Sequence, residues 1–294
     1  METLLKYKFI EEQITKEDSS TITFAKWAGG KTQLISQLKP LFPKKIERYF
    51  EPFVGSGAVF FYISQNYKIK YAMLSDINEE LIDAYKVIKD NVDILIKILR
   101  KHVKKHSVTP KAYYYRTRSQ EIDLMSAIER AARFIYLNKT CYNGLYRVNA
   151  KGKFNVPLGK LNGSAILQQD KLNKCAELLQ KTILKRMSFE NILKYAHSGD
   201  FVYFDPPYYP KTSGGNFTSY QKDKFLEEEH KKLFEVFKTL DANGCLCMVS
   251  NSNTKFIKDL YKDYRQSIVK ARRMINCNGN GRGETEELVI TNYN

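Results

Sequence analysis

A glycine turn between two short apolar segments is the feature that most constrains how this chain folds. Residues 48–53 are predicted to form a strand, the turn Val54-Gly55-Ser56-Gly57 follows, and an apolar helix runs to Ile63. A second strand is predicted over residues 69–75, and a further helix begins shortly after it. The order strand, glycine turn, helix, strand is typical of a parallel sheet in an α/β protein.

This α/β pattern is interrupted in the middle of the chain. Residues 84–138 have a helical and basic pattern, and residues 142–159, rich in Asn, Gly and Lys, suit a hairpin or an ordered loop. We therefore predict a sheet domain formed by residues 1–83 and 171–294, with residues 84–170 as an inserted, mostly helical domain. Beyond the insertion, a helix is predicted over residues 227–240 and strands over residues 182–187, 201–204, 245–250 and 288–291.

The predicted insertion carries most of the positive charge. The whole chain has 48 basic and 32 acidic residues, which gives a net charge of +16. Residues 84–170 hold 17 of the basic and 6 of the acidic residues, a net charge of +11. A local positive field attracts polyanions, and nucleic-acid backbones are the most common of these in a cell. A solvated basic surface, or a protein that lies beside ribosomal RNA without catalysis, explains the charge equally well.

The apolar segments and the cysteines indicate where such a protein works. No apolar run approaches the roughly 20 residues of a membrane-spanning helix, and we find no signal peptide in the first residues. The five cysteines are scattered and show no paired metal-ligand spacing, which favours reduced thiols over a disulfide framework. We expect a cytoplasmic protein with no membrane partner.

The glycine turn also predicts a ligand site. Glycines after a strand let the backbone approach a ligand, and the N-terminus of the next helix favours polar or anionic groups. Asp76 lies nineteen residues after Gly57, where an acid commonly holds the ribose hydroxyls of a nucleoside cofactor. Phe60 replaces the third small residue of a dinucleotide fingerprint, which disfavours NAD and FAD. An ordinary tight turn is the alternative for this stretch alone.

A second glycine-rich turn, Ala28-Gly29-Gly30-Lys31-Thr32, has a superficial likeness to a phosphate-binding loop. Ala25 stands where that loop has its first glycine, and no convincing strand precedes the turn. The sequence therefore disfavours a nucleotide triphosphatase. Lys26, Trp27 and Lys31 still lie in or beside a turn that can contact a ligand.

The motif Asp205-Pro206-Pro207-Tyr208 follows the apolar residues 201–204. A buried strand would place Asp205 at the carboxyl edge of the sheet, where open α/β folds bind their ligands. The two prolines restrict φ and thereby fix the acid relative to the aromatic ring that follows. The carboxylate can accept a hydrogen bond from an exocyclic amine, and a nucleobase can stack on Tyr208. The motif therefore predicts chemistry on a nucleobase.

Several stretches of the chain carry a family resemblance. Asp205-Pro-Pro-Tyr208 and Phe53-Val-Gly-Ser-Gly57 resemble the amino-methyltransferases that use S-adenosylmethionine. Further stretches are similar to the Dam-type DNA adenine-N6 methyltransferases, in the family's order and over about residues 24–293. These are Lys26-Trp-Ala-Gly-Gly-Lys31, Tyr142-Asn-Gly-Leu-Tyr-Arg147, Gly152-Lys-Phe-Asn-Val-Pro-Leu-Gly159, Arg272-Arg273, Asn278-Gly279 and Glu286-Glu287-Leu288.

The resemblance implies a fold, a reaction and a site. The fold would be a Rossmann-like methyltransferase sheet with an inserted, mostly helical target-recognition domain that carries a hairpin. The enzyme would methylate the N6 amino group of a flipped adenine, without a metal ion. Asp205, Pro206, Pro207 and Tyr208 match the catalytic tetrad, which grips the target adenine. The residues implied to bind S-adenosylmethionine are Trp27, Lys31, Phe53, Gly55, Gly57, Asp76 and Asp205.

The resemblance also implies double-stranded DNA as a partner. Tyr142 matches an aromatic residue that wedges into the duplex, and Asn143 matches one that faces the orphaned partner base. The expected target is the adenine of GATC, although Cys141 and Tyr146 lie at positions that vary in the family and leave flanking preferences open. Positions that read bases are matched by Lys26, Leu145, Arg147 and Pro157.

Two other functions stay open at this point. A methyltransferase with the same sheet can act on RNA, whereas protein-glutamine methyltransferases have Asn at the position of Asp205 and are disfavoured. A nucleic-acid-binding protein without catalysis is the second alternative, and the intact Asp76 and Asp205 argue against it. The enzyme could work with a cognate restriction endonuclease or alone. A monomer is consistent with the sequence, which leaves the oligomeric state open.

Overall fold

The computed structural model describes residues 22–160, 166–211, 225–272 and 284–294. Residues 1–21, 161–165, 212–224 and 273–283 lie outside the described residues, and with them Arg273, Asn278 and Gly279 of the tail motif. In the part of the chain that is described, no helix has both the length and the apolar character needed to cross a membrane.

Helices and strands alternate along the chain as predicted on both sides of residues 84–170. The strands are β1 (Arg48–Glu51), β2 (Tyr71–Asp76), β3 (Thr182–Arg186), β4 (Phe201–Phe204), β5 (Leu246–Ser252), β6 (Arg265–Arg272) and β7 (Glu284–Thr291). The helices are α1 (Ile35–Leu38), α2 (Ala58–Asn66), α3 (Glu79–Val108), α4 (Pro110–Arg118), α5 (Ala127–Thr140), α6 (Gln169–Leu179), α7 (Glu227–Ala242) and α8 (Lys255–Leu260). All six predicted strands are confirmed, and β6 is additional.

The chain divides into two compact units. The first comprises Met1–Thr32, Gly55–Asn66 and Asn78–Arg186. The second comprises Gln33–Val54, Tyr67–Ile77 and Met187–Asn294. Residues 84–170, the predicted insertion, lie within the first unit, which also contains the glycine turn after β1.

A mostly parallel sheet forms the second unit. Six of the seven strands belong to this unit, and they lie in the order β2-β1-β4-β5-β7-β6. The first four are parallel to one another, while β7 is antiparallel to both of its neighbours. β1 pairs with β2 on one side and with β4 on the other, so the strand order reverses between β1 and β4. Open α/β sheets bind their ligands at such a switch point, beyond the carboxyl ends of the strands.

Continuous apolar runs account for the central strands. All four residues of β4 are buried, as are Met248 and Val249 in β5. Parallel strands covered on both faces need such runs, and they therefore stand out in a sequence. On α7, Leu233, Phe237 and Leu240 recur at helical spacing and pack into the same core.

The first unit is built around α3, α4 and α5. A capping box at Ser126 and Glu129 begins α5, and α3 has a kink at Asn91, whose φ of −141° is not helical. Buried histidines and tyrosines join these helices. The Tyr113 hydroxyl lies 2.8 Å from His102 Nδ1, and the Tyr136 hydroxyl lies 2.8 Å from Nδ1 of His106. The two histidines thus stabilise helix packing.

We predict that His102 makes the stability of the fold depend on pH. Burial, with a smaller contribution from Lys105, lowers the pKa of His102 from 6.5 to about 4. Between these values the unfolded chain binds a proton at His102 and the folded chain does not. The free energy of unfolding should therefore fall by about 1–3 kcal/mol as the pH drops through this interval.

Urea unfolding followed from about pH 7 to about pH 4.5 measures this dependence. The His102→Gln variant is the control, because its side chain has no proton to bind. Its stability should be lower at neutral pH but should change less with pH than that of the wild type. Parallel pH profiles for the two proteins would contradict the prediction.

Candidate functional site

Asp205 lies directly beyond the carboxyl end of β4, in the second unit. Because β1, β2, β4 and β5 are parallel neighbours, their carboxyl ends meet at one edge of the sheet. That edge brings Asp205 together with Glu51 at the end of β1, Asp76 at the end of β2 and Asn251 in β5. The predicted placement of Asp205 and Asp76 at this edge is confirmed.

The residues after Asp205 are held to the end of β5. Pro206 is buried and Pro207 is exposed, and both lack the N–H group through which a strand would continue pairing. The Tyr209 amide donates a hydrogen bond to Asn251 Oδ1 at 3.1 Å. The Ser252 hydroxyl donates to the Tyr209 carbonyl at 2.6 Å. These bonds fix the path of the chain immediately after Tyr208.

Tyr208 is held by its hydroxyl, which donates a hydrogen bond to Glu287 Oε2 at 2.6 Å. Glu287 belongs to β7 and pairs with Ser252 of β5. Burial raises the pKa of Tyr208 well above its usual value, and the nearby Asp205 and Glu287 raise it further. The phenol therefore stays protonated and remains a donor. The tail motif contained Glu287, but only the fold shows its contact with Tyr208.

Acidic side chains make this edge of the sheet electronegative. Glu51 is buried and accepts a hydrogen bond from the Tyr49 hydroxyl at 2.8 Å. Burial raises the pKa of Tyr203 well above its usual value, with Asp205 as the next largest cause and Glu51 as a further one. Glu51 stands before the glycine turn, and no role was predicted for it from the sequence. Such a site favours a cation over an anion.

Phe53 lies two residues beyond β1 and belongs to an aromatic group. Its ring stacks on Phe189 with centroids 5.3 Å apart, and it meets the edge of Phe225 at 5.6 Å. The next residue, Val54, donates its amide to the Ser75 carbonyl at 3.1 Å. These contacts hold the end of β1 beside β2, just before the chain enters the glycine turn.

The first unit contains the glycine turn itself. Gly55 and Gly57 have φ values of +47° and +70°, which L side chains rarely adopt. A Cβ on Gly57 would lie 2.5 Å from the Tyr85 hydroxyl, and one on Gly55 would lie 2.7 Å from Trp27 Cδ1. Tyr85 also donates to the Gly55 carbonyl at 3.0 Å. Glycine is therefore required at both positions.

Lys31 is buried, at 3% exposure, at the second glycine-rich turn. Its Nζ donates a hydrogen bond to the Gly29 carbonyl at 2.5 Å, and Gly29 has a φ of +76°. A buried ammonium group needs such partners because desolvation is costly. The contact fixes Lys31 across the turn that begins at Trp27.

Residues 142–159 form the predicted hairpin, also in the first unit. Antiparallel bridges join Cys141 to Leu158 and Val148 to Phe154. The Asn155 amide donates to the Arg147 carbonyl at 3.0 Å. The side chain of Tyr114 in α4 also holds the hairpin, because its hydroxyl donates a hydrogen bond to the Val156 carbonyl at 2.8 Å.

The proposed DNA-contacting residues lie along this hairpin. Tyr142 is 50% exposed although it is a large aromatic residue, and Asn143 adopts a left-handed conformation with φ 54°. Arg147 is exposed and its Nε donates to Asn155 Oδ1 at 2.7 Å, which orients the guanidinium. Pro157 is exposed, whereas Leu145 is partly buried.

Asn138 positions Lys26 beside the hairpin. Its buried side chain accepts a hydrogen bond from the Lys26 amide at 2.8 Å and donates to the Lys26 carbonyl at 2.8 Å. It also donates to the Gly144 carbonyl at 3.1 Å. A Cβ on Gly144 would lie 2.5 Å from the Lys26 side chain. Sequence reasoning missed Asn138, since a single Asn within a helix carries no local signal.

Metal ligands were not predicted from the sequence. Within the described ranges, no group of three or more His, Cys, Asp or Glu side chains is arranged to hold a metal ion. The Cys141, Cys175, Cys245 and Cys247 thiols are free and buried.

Comparison with known proteins identifies the family. The sequence model of the D12 class of N6 adenine-specific DNA methyltransferases matches residues 27–275. A type II methyltransferase of Methanocaldococcus jannaschii, M.MjaIII, is 42% identical over 284 residues, which cover 92% of this chain and 98% of the relative. M1.LlaDCHI of Lactococcus lactis, also named a type II methyltransferase, is 41% identical over 276 residues, or 92% and 95% of the two chains.

The DNA adenine methylase of Escherichia coli is 33% identical over 266 residues, which cover 90% of this chain and 93% of the relative. These matches confirm the resemblance drawn from the tetrad and the glycine turn. With an acid at the carboxyl edge of a parallel α/β sheet and relatives that span almost the full chain, the protein belongs to the D12 class of N6 adenine-specific DNA methyltransferases.

Proposed function

We propose that this protein transfers a methyl group from S-adenosylmethionine to the N6 amino group of an adenine flipped out of double-stranded DNA, within GATC. The observation that carries the proposal is the position of Asp205. It follows a buried strand at the switch point of the sheet, and Tyr208 beside it is anchored by Glu287. The adenine-specific family to which the chain belongs makes an exocyclic amine the group that Asp205 would bind.

Asp205 would activate the adenine amino group. The N6 lone pair is delocalised into the purine ring and is therefore a poor nucleophile. The two N–H bonds would donate hydrogen bonds to the Asp205 carboxylate and to the Pro206 carbonyl, which moves the nitrogen towards tetrahedral geometry and frees the lone pair. As the nitrogen forms its bond to the methyl carbon, the bond between that carbon and sulfur would break and the sulfur would keep the electron pair. The nitrogen would become positively charged until it loses one of its protons, and the nearby carboxylate would stabilise that charge.

Tyr208 would hold the adenine ring. Flipping a base costs a few kcal/mol, and stacking on an aromatic side chain returns about 1–3 kcal/mol. The hydrogen bond to Glu287 limits rotation of the Tyr208 side chain. The ring is thus already oriented before the base arrives, and correct orientation of reacting groups lowers the barrier.

The acidic edge of the second unit suits S-adenosylmethionine. When bound, this cofactor supplies a methyl group carried by a positively charged sulfur. In the second unit, Glu51 and Asp205 give the negative charge that such a cation prefers, and Asp76 is proposed to bind ribose hydroxyls. The residues proposed to contact the cofactor remain Trp27, Lys31, Phe53, Gly55, Gly57, Asp76 and Asp205.

The hairpin would bind the DNA. Tyr142 would fill the gap left by the flipped base, Asn143 would face its orphaned partner, and Arg147 would read a guanine edge. Lys26, Leu145 and Pro157 are the other proposed base-reading residues. The net charge of +11 on residues 84–170, the proposed DNA-binding domain, would attract the phosphate backbone. GATC rests on the likeness of this reading loop to that of the Dam-type enzymes.

A restriction endonuclease is a proposed functional partner. Two relatives at 41% and 42% identity carry the name type II methyltransferase, which supports this proposal. We place the reaction in the cytoplasm, where buried thiols such as those found here stay reduced.

The proposed substrate predicts the outcome of a methyl-transfer assay. The protein is incubated with radiolabelled S-adenosylmethionine and three nucleic acids: a GATC duplex, the same duplex with the four bases rearranged, and RNA of the same sequence. Label should accumulate in the GATC duplex alone. Label in RNA alone would replace DNA with RNA as the substrate, and failure to bind the cofactor would favour a binding protein without catalysis.

Asp205→Ala should abolish turnover without abolishing DNA binding. We expect the rate to fall at least about a hundredfold, because the hydrogen-bond acceptor and the stabilising charge are both lost. The affinity for the GATC duplex should stay within about tenfold, because the phosphate contacts lie elsewhere. Glu235→Ala, which removes an exposed acid from α7, is the control for the loss of one charge. A near-normal rate in Asp205→Ala would refute the assigned role.

Glu287 should affect the rate through Tyr208. Glu287→Ala removes the acceptor of the Tyr208 hydroxyl and should lower kcat about tenfold, equivalent to about 1.4 kcal/mol. Glu287→Gln keeps an acceptor oxygen and should retain most of the rate. In the Tyr208→Phe background, Glu287→Ala should have little further effect, as expected for two partners in one contact. Additive losses would contradict the assignment.

A further inference from the structure

Tyr146 occupies an unusual position in the hairpin. It lies between Leu145 and Arg147, which are proposed to read bases, but its own side chain is partly buried among other aromatic rings. The ring stacks on Trp27 with centroids 5.8 Å apart and planes inclined by 23°. It also packs against Phe134 at 5.7 Å and against Phe154 at 5.8 Å. Tyr146 is therefore the point at which the hairpin contacts Trp27.

Trp27 in turn packs against the glycine turn. A Cβ at Gly55 would lie 2.7 Å from Trp27 Cδ1 and 3.0 Å from Nε1. The indole thus occupies the space that any other residue at this position would need. Two successive contacts, Tyr146 with Trp27 and Trp27 with Gly55, connect the hairpin to the turn proposed to bind the cofactor. All of these residues belong to the first unit.

The Tyr146 hydroxyl is anchored outside the hairpin. It donates a hydrogen bond to Glu80 Oε1 at 2.8 Å, and Glu80 begins the long helix α3. The other Glu80 oxygen lies 3.6 Å from the guanidinium of Arg133, which is 4% exposed. Arg133 also donates to the Thr117 carbonyl at 3.0 Å. The Tyr146 ring is thus held by its packing against Trp27, Phe134 and Phe154, and its hydroxyl adds a further link to helices α3, α4 and α5.

We propose that Tyr146 is a positioning residue that couples DNA recognition to cofactor binding through Trp27. When the hairpin is seated on DNA, Tyr146 holds the indole against Gly55 in the arrangement that accepts the cofactor. This inference rests on the proposed function, since it takes the hairpin as the DNA-reading element and Trp27 as a cofactor contact. A coupling of this kind is reciprocal: each ligand must tighten the other by the same factor.

The sequence provides a direct optical readout, because Trp27 is its only tryptophan. Its fluorescence reports both the stacked Tyr146 ring and ligands that reach the indole. The dissociation constant of S-adenosylhomocysteine, which cannot transfer a methyl group, is measured by this signal with and without a saturating GATC duplex. The dissociation constant of the duplex is measured by anisotropy with and without S-adenosylhomocysteine. For each ligand, the ratio of its dissociation constants without and with the other ligand gives the coupling factor. The factor is therefore obtained twice, independently.

For the wild type we expect each ligand to tighten the other by about fivefold or more, with the two factors equal. Tyr146→Leu removes the stacked ring and should reduce the factor to below about twofold, while each ligand still binds alone. Tyr146→Phe keeps the ring, and should retain the coupling and the change in Trp27 emission on adding duplex. Of the two variants, Tyr146→Phe is closer in shape to the wild type, so it tests the proposal even if Tyr146→Leu fails to fold. Val148→Ala, at a 40% exposed position of the same hairpin, is the control and should keep the wild-type factor.

The outcomes separate this inference from the proposed function. Undiminished coupling in folded Tyr146→Leu, or its loss in Tyr146→Phe, would overturn the role of the stacked ring. Wild-type protein that binds and methylates the GATC duplex but shows no coupling would overturn the inference and leave the proposed function intact. Wild-type protein that binds neither ligand would overturn both.

Discussion

Parallel pairing of β1 with β4 is the constraint on which the second unit depends. The chain leaves the carboxyl end of β1 towards β2 on one side and leaves that of β4 towards β5 on the other, so the sheet has its switch point between β1 and β4. All of β4 is apolar and buried, while Glu51 stands at the end of β1 and Asp205 directly follows β4. Glu51 and Asp205 therefore share an edge with the buried Tyr49 and Tyr203, whose pKa values burial raises well above the usual value, so that both phenols stay protonated. Such an edge offers hydrogen-bond acceptors for an amine and negative charge for a cation.

The first unit depends on buried polar contacts more than on strand pairing. Asn138 holds the backbone of Lys26 on both sides and also binds Gly144. Glu80 holds the phenol of Tyr146. Burying such groups is favourable only when every hydrogen bond is made, so these contacts specify one arrangement of the hairpin relative to the residues around Trp27. The same contacts place an exposed Tyr142 and an oriented Arg147 on the outer side.

The residues that could be predicted from the sequence are those with a strong local signal. The apolar run that forms β4 and the glycines after β1 are visible without any fold, because burial and positive φ each restrict the choice of residue. β6 was missed because it is an edge strand in which Val269 and Ala271 are buried among polar residues. From the sequence alone, no role could be predicted for Asn138 and no partner for Glu287. Their contacts join residues that are 112 and 79 positions apart in the chain. Family resemblance supplied roles for Tyr142 and Asn143 that spacing alone would not.

The most direct test of the account is a crystal structure of the protein with a GATC duplex and S-adenosylhomocysteine. We expect an extruded adenine whose N6 lies within hydrogen-bond distance of the Asp205 carboxylate and the Pro206 carbonyl, with its ring against Tyr208. We also expect Tyr142 in the gap left in the duplex. A target adenine that remains stacked in the helix, with packed side chains closing the space beyond Asp205, would contradict it.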